Sequence, residues 1–250
     1  MQNRLRSQLR QGIPAFGLTL AIGHPEVSYA LGNLGLDWIN FDMQHTVIDV
    51  QTVAAMIQAM SYSQTVPIVR VPSNDLAMIN KALDFGACGV IVPLVNSRED
   101  AEKAVRFSRY GPTGTRSWGQ RAALRDPDYA TTADTEIMVI PQIETELAVQ
   151  NLEPIVCTEG IEAVFCGPYD LSMSLGVFRQ FDNPKLVKAL ETIVSTCKAH
   201  DVTPGILAPI GPIERTLRLG FKLITLGGDL PMLTGSVAKA LENARSAMSL

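Results

Sequence analysis

The sequence predicts an α/β protein folded as one closed (β/α)8 (TIM) barrel, and three observations carry that reading. Strand-like and helix-like segments alternate from end to end, with no linker or low-complexity stretch to divide them. Eight short apolar runs of strand length can be counted, each bounded by polar or turn-forming residues. The 250 residues are also about the length that one such barrel requires. The whole chain, 1–250, is therefore expected to be a single domain.

Ala15–Ile22 reads as the first strand, and His24-Pro25-Glu26 opens a helix running to about Leu34. Trp38–Phe41 is the second strand and ends in Asp42-Met43-Gln44-His45. The next helix has a 3.6-residue period, with Val50, Val53, Ala54, Ile57 and Met60 on one face. Val66–Val71 is the third strand, carrying Arg70 near its end. Asn74 is expected to cap a helix that reaches Phe85 and stops at Gly86. Gly89–Pro93 is the fourth strand, followed by a helix that turns Ala101, Ala104 and Val105 inward. Tyr110–Thr135 is the one long irregular piece, of a length usually reserved for function or contacts.

Met138–Ile143 and Ala163–Cys166 are the fifth and sixth strands, and each runs directly into a carboxylate. Leu186, Ala189, Leu190, Ile193, Val194 and Cys197 form the stripe of the next helix. Thr203–Leu207 and Leu223–Leu226 supply strands seven and eight. A closing helix follows Asp229, with Leu233, Val237, Ala240 and Leu241 on its buried side.

Composition narrows the function classes. Apolar residues make up 46% of the chain and charged residues 18%, which fits an ordinary globular protein. A net charge of −4 and a pI near 5.4 leave no basic stripe for nucleic acid. The uncharged apolar runs fall well short of the ~20 residues that a membrane span needs. Cys88, Cys157, Cys166 and Cys197 have no close-spaced metal or redox pairing, so free thiols and a cytoplasmic location are expected.

In a barrel the chemistry stands at the carboxyl ends of the strands. Those ends offer Asp42, Gln44 and His45 after strand two, Arg70 after three, Gln142 and Glu144 after five, and Tyr169 and Asp170 after six. Glu144 and Asp170 end adjacent parallel strands, and two acidic groups held together suit a divalent metal. Either is equally readable as a helix cap. His45 follows a strand directly, with Asp42 three residues before it, and is the natural candidate for a general base. Arg70, at the end of an interior strand, needs an anionic partner, either Asp84 or a carboxylate substrate. His24 and His200 read as a helix-start residue and a helix C-terminal cation, and Cys166 as core. Gly227-Gly228-Asp229 reads as a tight turn, although a similar turn can cradle an anion.

These pieces resemble the metal-dependent (class II) pyruvate aldolases of the HpcH/HpaI aldolase/citrate lyase family. The matching segments are Asp37–Thr46 (DWINFDMQHT), Pro67–Pro72 (PIVRVP), Lys81–Val95, Arg109–Gly119 (RYGPTGTRSWG), Pro141–Thr145 (PQIET) and Gly167–Gly176 (GPYDLSMSLG). They cover nearly the whole chain in order. The resemblance implies a barrel of the phosphoenolpyruvate/pyruvate-domain type in which Glu144 and Asp170 hold Mg²⁺, Mn²⁺ or Co²⁺. It also implies that Gln142 and the backbone around Tyr169 and Asp170 hold the 2-oxo acid. His45 would act as base with Asp84 raising its basicity, and Arg70 would stabilise the enolate oxygen and the developing alkoxide.

The implied substrates are a 2-oxo acid, pyruvate or hydroxypyruvate, and an aldehyde. The implied assembly is a hexamer, a trimer of dimers, exchanging the C-terminal helix (about 229–247). No lysine stands at a recognised Schiff-base position, so the metal route is favoured over the imine route. Gln44 and Tyr169 depart from the residues of many relatives, and Arg121 could serve an acidic acceptor or an interface. Three other readings stand beside this one, of which phosphonopyruvate or phosphoenolpyruvate chemistry is the weakest within catalysis. One is a C–C lyase acting on a CoA ester, for which the chain has little nucleotide-binding length. The last is a catalytically silent metabolite-binding barrel, which would have no need to gather a base, a cation and two carboxylates.

Overall fold

The structure, a computed structural model, describes residues 2–124, 126–207 and 210–248. Arg125, in the long piece after Tyr110, lies outside them. A short helix α1 (Arg4–Arg10) precedes β1 (Ala15–Leu20), α2 (Pro25–Gly32), β2 (Trp38–Asp42), α3 (Val50–Ala59), β3 (Val66–Arg70), α4 (Leu76–Asp84), β4 (Gly89–Val92) and α5 (Arg98–Ser108). The second half runs α6 (Gln120–Ala123), α7 (Tyr129–Glu136), β5 (Met138–Ile143), α8 (Glu146–Gln150), α9 (Leu152–Val156), β6 (Ala163–Cys166) and α10 (Pro168–Ser174). It closes with α11 (Pro184–Ala199), β7 (Thr203–Leu207), α12 (Ile213–Leu219), β8 (Leu223–Gly228) and α13 (Asp229–Met248). The eight strands pair in parallel, each with its sequence neighbours, and β8 returns to β1 to close the barrel. The expected fold class is the observed one.

The period of two along each strand sorts the side chains. Trp38, Ile68, Ile140 and Phe165 belong to an inner cluster with Leu5 and Leu9 of α1, which plugs the amino-terminal mouth. Ile39, Phe41, Val69, Val90, Val139 and Val164 pack outward against the helices. Trp38 meets Phe165 edge-on at 5.8 Å. A Cβ on Gly17 would stand 2.6 Å from the Trp38 ring, so only glycine leaves the inner layer room for that indole. Continuing the inward column toward the carboxyl end leads from Trp38 through Asn40 to Asp42, from Ile68 to Arg70, and from Ile140 through Gln142 to Glu144. The alternation that builds the core thus points the polar residues into the mouth above it.

Several expectations change in detail. Asp75, not Asn74, caps α4, its carboxylate accepting from the Ala77 and Met78 N–H groups. Asn74 donates to the Asp100 carbonyl instead. The long piece after Tyr110 holds two short helices, and the segment between β5 and β6 is broken at Asn151 into α8 and α9. The face of α13 expected to be buried is open in the single chain: Leu233, Val237 and Leu241 are 54%, 60% and 48% exposed. Among the described residues none buries this face, because α13 leaves the barrel after Asp229. No helix among the described residues is long and apolar enough to cross a membrane.

Candidate active site at the carboxyl-terminal mouth

Asp42 and Arg70 end neighbouring strands and stand opposite each other in the β2–β3 register. The Arg70 guanidinium donates from Nε to Asp42 Oδ1 (2.9 Å) and from Nη2 to Oδ2 (2.6 Å). Both side chains are buried. The anionic partner of Arg70 is therefore Asp42, not Asp84, because strand pairing sets the two a single strand spacing apart. Asp42 Oδ1 also accepts from the Gln44 N–H (2.9 Å) and the His45 N–H (3.4 Å). The carboxylate that seemed placed for the His45 ring instead ties down the backbone leading into it. His45 itself is exposed at the rim, as a base that must reach a substrate has to be.

Glu144 is buried but is not a helix cap. Thr145 caps α8, its hydroxyl accepting from the Ala148 N–H at 3.0 Å. The Glu144 carboxylate turns inward: Oε1 accepts from the Leu94 N–H at 2.8 Å, and Oε2 accepts from the Gln142 side-chain amide. Leu94 adopts a left-handed φ of 54° just beyond β4, which aims that N–H. Burial is the largest influence on Glu144 and pushes its carboxyl above the usual range. The two hydrogen bonds oppose this, the charge of Asp170 adds to it, and Arg70 opposes it weakly. Asp170 is therefore near enough to be felt, and it lies exposed in the first turn of α10.

Gln142 Oε1 is buried without a hydrogen-bond partner among the described residues, as is Gln44 Oε1. Gly167 completes the cradle: a Cβ there would come within 3.1 Å of Glu144 Oε2 and 3.2 Å of Gln142 Nε2. Tyr169 is half-buried, with its ring edge-on to Phe181 at 5.3 Å and the Arg179 guanidinium 6.0 Å from its centroid.

These residues fit a hard divalent cation. A buried carboxylate that no salt bridge reaches among the described residues, a second carboxylate close by and an unpartnered amide oxygen make an oxygen-donor set. Waters and substrate oxygens can complete its coordination. The His, Cys, Asp and Glu side chains of the described residues form no preassembled group of three. A cation held by two protein carboxylates would have most of its coordination sphere open.

Asp84 stands elsewhere. It accepts from Arg116 Nη2 at 2.8 Å, and no hydrogen bond or ion pair joins it to His45 among the described residues. The dyad implied by the resemblance is not one that this chain makes with itself. Arg116 is the centre of that second cluster, its guanidinium 4.5 Å from the Tyr110 ring centroid and donating to the Tyr129 hydroxyl at 3.0 Å. Arg121 rests over the Phe85 ring at 4.9 Å.

The remaining candidates take structural roles. His24 caps α2, its Nδ1 accepting from the Glu26 N–H at 3.2 Å. The Asp229 carboxylate accepts from the Ala21, Ile22 and Leu230 N–H groups, which ties the start of α13 to the end of β1. Cys166 is core, its thiol pushed well up by burial. A cleft of about 800 Å³ opens at the opposite, amino-terminal mouth. It contains none of the expected site residues, and its Arg6, Arg10 and Glu162 are paired with one another. Sequence reasoning missed Asp42 as the anchor of Arg70, and Leu94 and Gly167 as the frame of Glu144. The signal for Asp42 was present, since it ends the strand beside Arg70.

Residues 16–234 match the model of the HpcH/HpaI aldolase/citrate lyase family. The chain is 34% identical over 242 residues to a 5-keto-4-deoxy-D-glucarate aldolase of Salmonella paratyphi C, covering 95% of this chain and 94% of that protein. Among solved structures, an HpcH/HpaI aldolase/citrate lyase family protein from Burkholderia cenocepacia J2315 superposes with a TM-score of 0.92 at 31% identity, over 98% of this chain and all of that one. The citrate synthase SbnG superposes with a TM-score of 0.90 at 29% identity over the full length of both.

Proposed function

The chain belongs to the HpcH/HpaI aldolase/citrate lyase family, and from that membership together with its site we propose that it is a metal-dependent carbon–carbon lyase, an aldolase. It cleaves a 4-hydroxy-2-oxo acid to a pyruvate-type acid and an aldehyde, and it runs the reverse condensation. The observation that carries this reading is Glu144, a buried carboxylate oriented from two sides beside the Asp42-anchored guanidinium of Arg70.

Glu144 and Asp170 hold the divalent ion, Mg²⁺, Mn²⁺ or Co²⁺, and Gln142 with the backbone at Tyr169 and Asp170 receives the 2-oxo acid. When bound, the ion supplies Lewis-acid charge to the keto oxygen. The protein supplies the rest. His45, on the rim, takes the proton from C3 of the donor. The freed electron pair forms the new bond to the aldehyde carbon, the carbonyl π pair moves onto its oxygen, and that oxygen takes up a proton to become the hydroxyl. Arg70, held flat by Asp42, offers N–H donors where negative charge collects on oxygen. In cleavage the same groups act in reverse, with His45 returning its proton to C3. Asp84 acts at a distance, through Arg116, on the segment after Tyr110.

The open apolar face of α13 supports the proposal that copies exchange this helix in a hexamer built as a trimer of dimers. The test of function is retro-aldol turnover. With Mg²⁺ or Mn²⁺, 4-hydroxy-2-oxo acids should release pyruvate, detected by reduction to lactate, and chelation should stop the release. A chain that released none from any such acid but condensed a 2-oxo acid with an acyl donor would favour a synthase reading, which the likeness to the citrate synthase keeps open.

A further inference from the structure

We propose that Cys157, activated by His200 and backed by Glu153, is a reactive thiol that takes up low-molecular-weight disulfides as a mixed disulfide. Cys157 follows α9 and His200 follows α11, two helices that pack together outside the barrel. Both helices run against the strands, so the pair sits toward the amino-terminal face, away from the aldolase mouth. The Cys157 sulfur lies 3.3 Å from His200 Nδ1, and His200 Nε2 lies 3.3 Å from Glu153 Oε1.

One tautomer satisfies both contacts. With Nε2–H donated to Glu153, Nδ1 carries the lone pair and faces the thiol hydrogen. Nucleophile, base and orienting carboxylate then stand in the order that nucleophilic catalysis uses. Glu153 is largely in water, at 72% exposed, so its share is small.

Cys157 is the exposed thiol, whereas Cys166 and Cys197 are buried and Cys88 is partly covered. Burial pushes the Cys197 thiol up to about 12 and the Cys166 thiol further. Reactivity should therefore be confined to one position. In the step, the Cys157 sulfur attacks one sulfur of the disulfide while His200 takes the thiol proton. The disulfide bond breaks, and the proton passes to the departing thiolate. One mixed disulfide and one free thiol result, with no net oxidation.

The test is stopped-flow reaction of the whole protein with 5,5′-dithiobis(2-nitrobenzoate), followed by peptide mapping. One fast equivalent per chain is expected, located at Cys157. His200→Gln should slow that phase at least about tenfold, and Glu153→Gln about two- to threefold, with retro-aldol turnover and circular dichroism unchanged. A wild-type rate in His200→Gln, or a fast equivalent at Cys88, would overturn the proposal. Should His200→Gln not fold, the rate for native Cys157 is compared with that of the same chain unfolded in urea. Several-fold faster reaction in the native state is expected, and equal or slower reaction refutes the activation.

Discussion

Asp42 and Arg70 meet as a two-pronged pair at the carboxyl end of β2 and β3, with contacts of 2.9 and 2.6 Å on both oxygens of one carboxylate. The strand register makes this pairing unavoidable, and it fixes the plane of the guanidinium before any substrate arrives. An arginine arranged this way serves as an oriented donor set rather than a mobile charge.

Arg70→Lys should therefore not rescue function. The ammonium cannot take both Asp42 oxygens and still present donors in a plane. Steady-state kinetics should show kcat down by ~10²–10³-fold with KM changed much less. Asp42→Ala should also cost about 3–5 kcal/mol in urea melts, because it leaves Arg70 buried without its partner. A functional Arg70→Lys enzyme would remove the oxyanion role.

Glu144→Gln separates metal binding from folding. Burial disfavours the ionised Glu144, so the neutral amide should leave the chelated protein as stable as wild type or more so at pH 7. Titration with Mn²⁺ in a calorimeter should show affinity reduced by at least ~100-fold. Wild-type Mn²⁺ affinity in this variant would place the ion elsewhere.

The Arg116 cluster is predicted to be structural. Arg116 has no exposed side-chain surface, stacks on Tyr110 and bonds both Asp84 and Tyr129. Arg116→Met should cost roughly 2–4 kcal/mol, read as a lower urea midpoint. Asp84→Asn should lower stability with little change in the pH profile of turnover. A shifted basic or acidic limb in Asp84→Asn would instead assign Asp84 to the His45 base.

The amino-terminal mouth gives a pH signature. Burial would raise the Glu162 carboxyl, but hydrogen bonds and charge from Arg6 and then Arg10 outweigh it and hold the group below its usual value. A depressed carboxylate stabilises the fold above its unfolded pKa and loses that contribution as pH falls through the folded one. Glu162→Gln should therefore be less stable than wild type at pH 7, by about 1 kcal/mol given its one-third exposure. That gap should close as the pH drops below the ordinary carboxylate range of ~4.3. A gap that stayed constant from pH 7 to pH 3 would show that Glu162 acts through packing alone.

How much of this was legible in the sequence depended on range. The barrel was readable because each strand is a short apolar run, and the positions of Arg70, Gln142 and Glu144 at the carboxyl-terminal mouth were readable because they close such runs. The Asp42–Arg70 pair required strand register, which is a relation between segments. The pairing of Asp84 with Arg116 was not legible because Arg116 lies in the irregular piece after Tyr110, where no periodicity fixes direction. Leu94 was invisible for another reason: its contribution is a backbone N–H aimed by a left-handed φ, which carries no side-chain signature. The open face of α13 looked like an ordinary buried stripe because an apolar period does not reveal whether the surface that covers it belongs to the same copy.

Glu144, Asp170, His45 and Arg70 are proposed to remove a proton from C3 of a 2-oxo acid with the help of a divalent ion. The most direct measurement is NMR-detected deuterium exchange at C3 of pyruvate and hydroxypyruvate, first in chelator and then with Mg²⁺ or Mn²⁺. Exchange is expected only with metal, slowed ~10²–10⁴-fold in His45→Ala and lost in Glu144→Gln. Exchange by the chelated wild-type enzyme at the full rate, or unchanged exchange in both variants, would contradict this proposal.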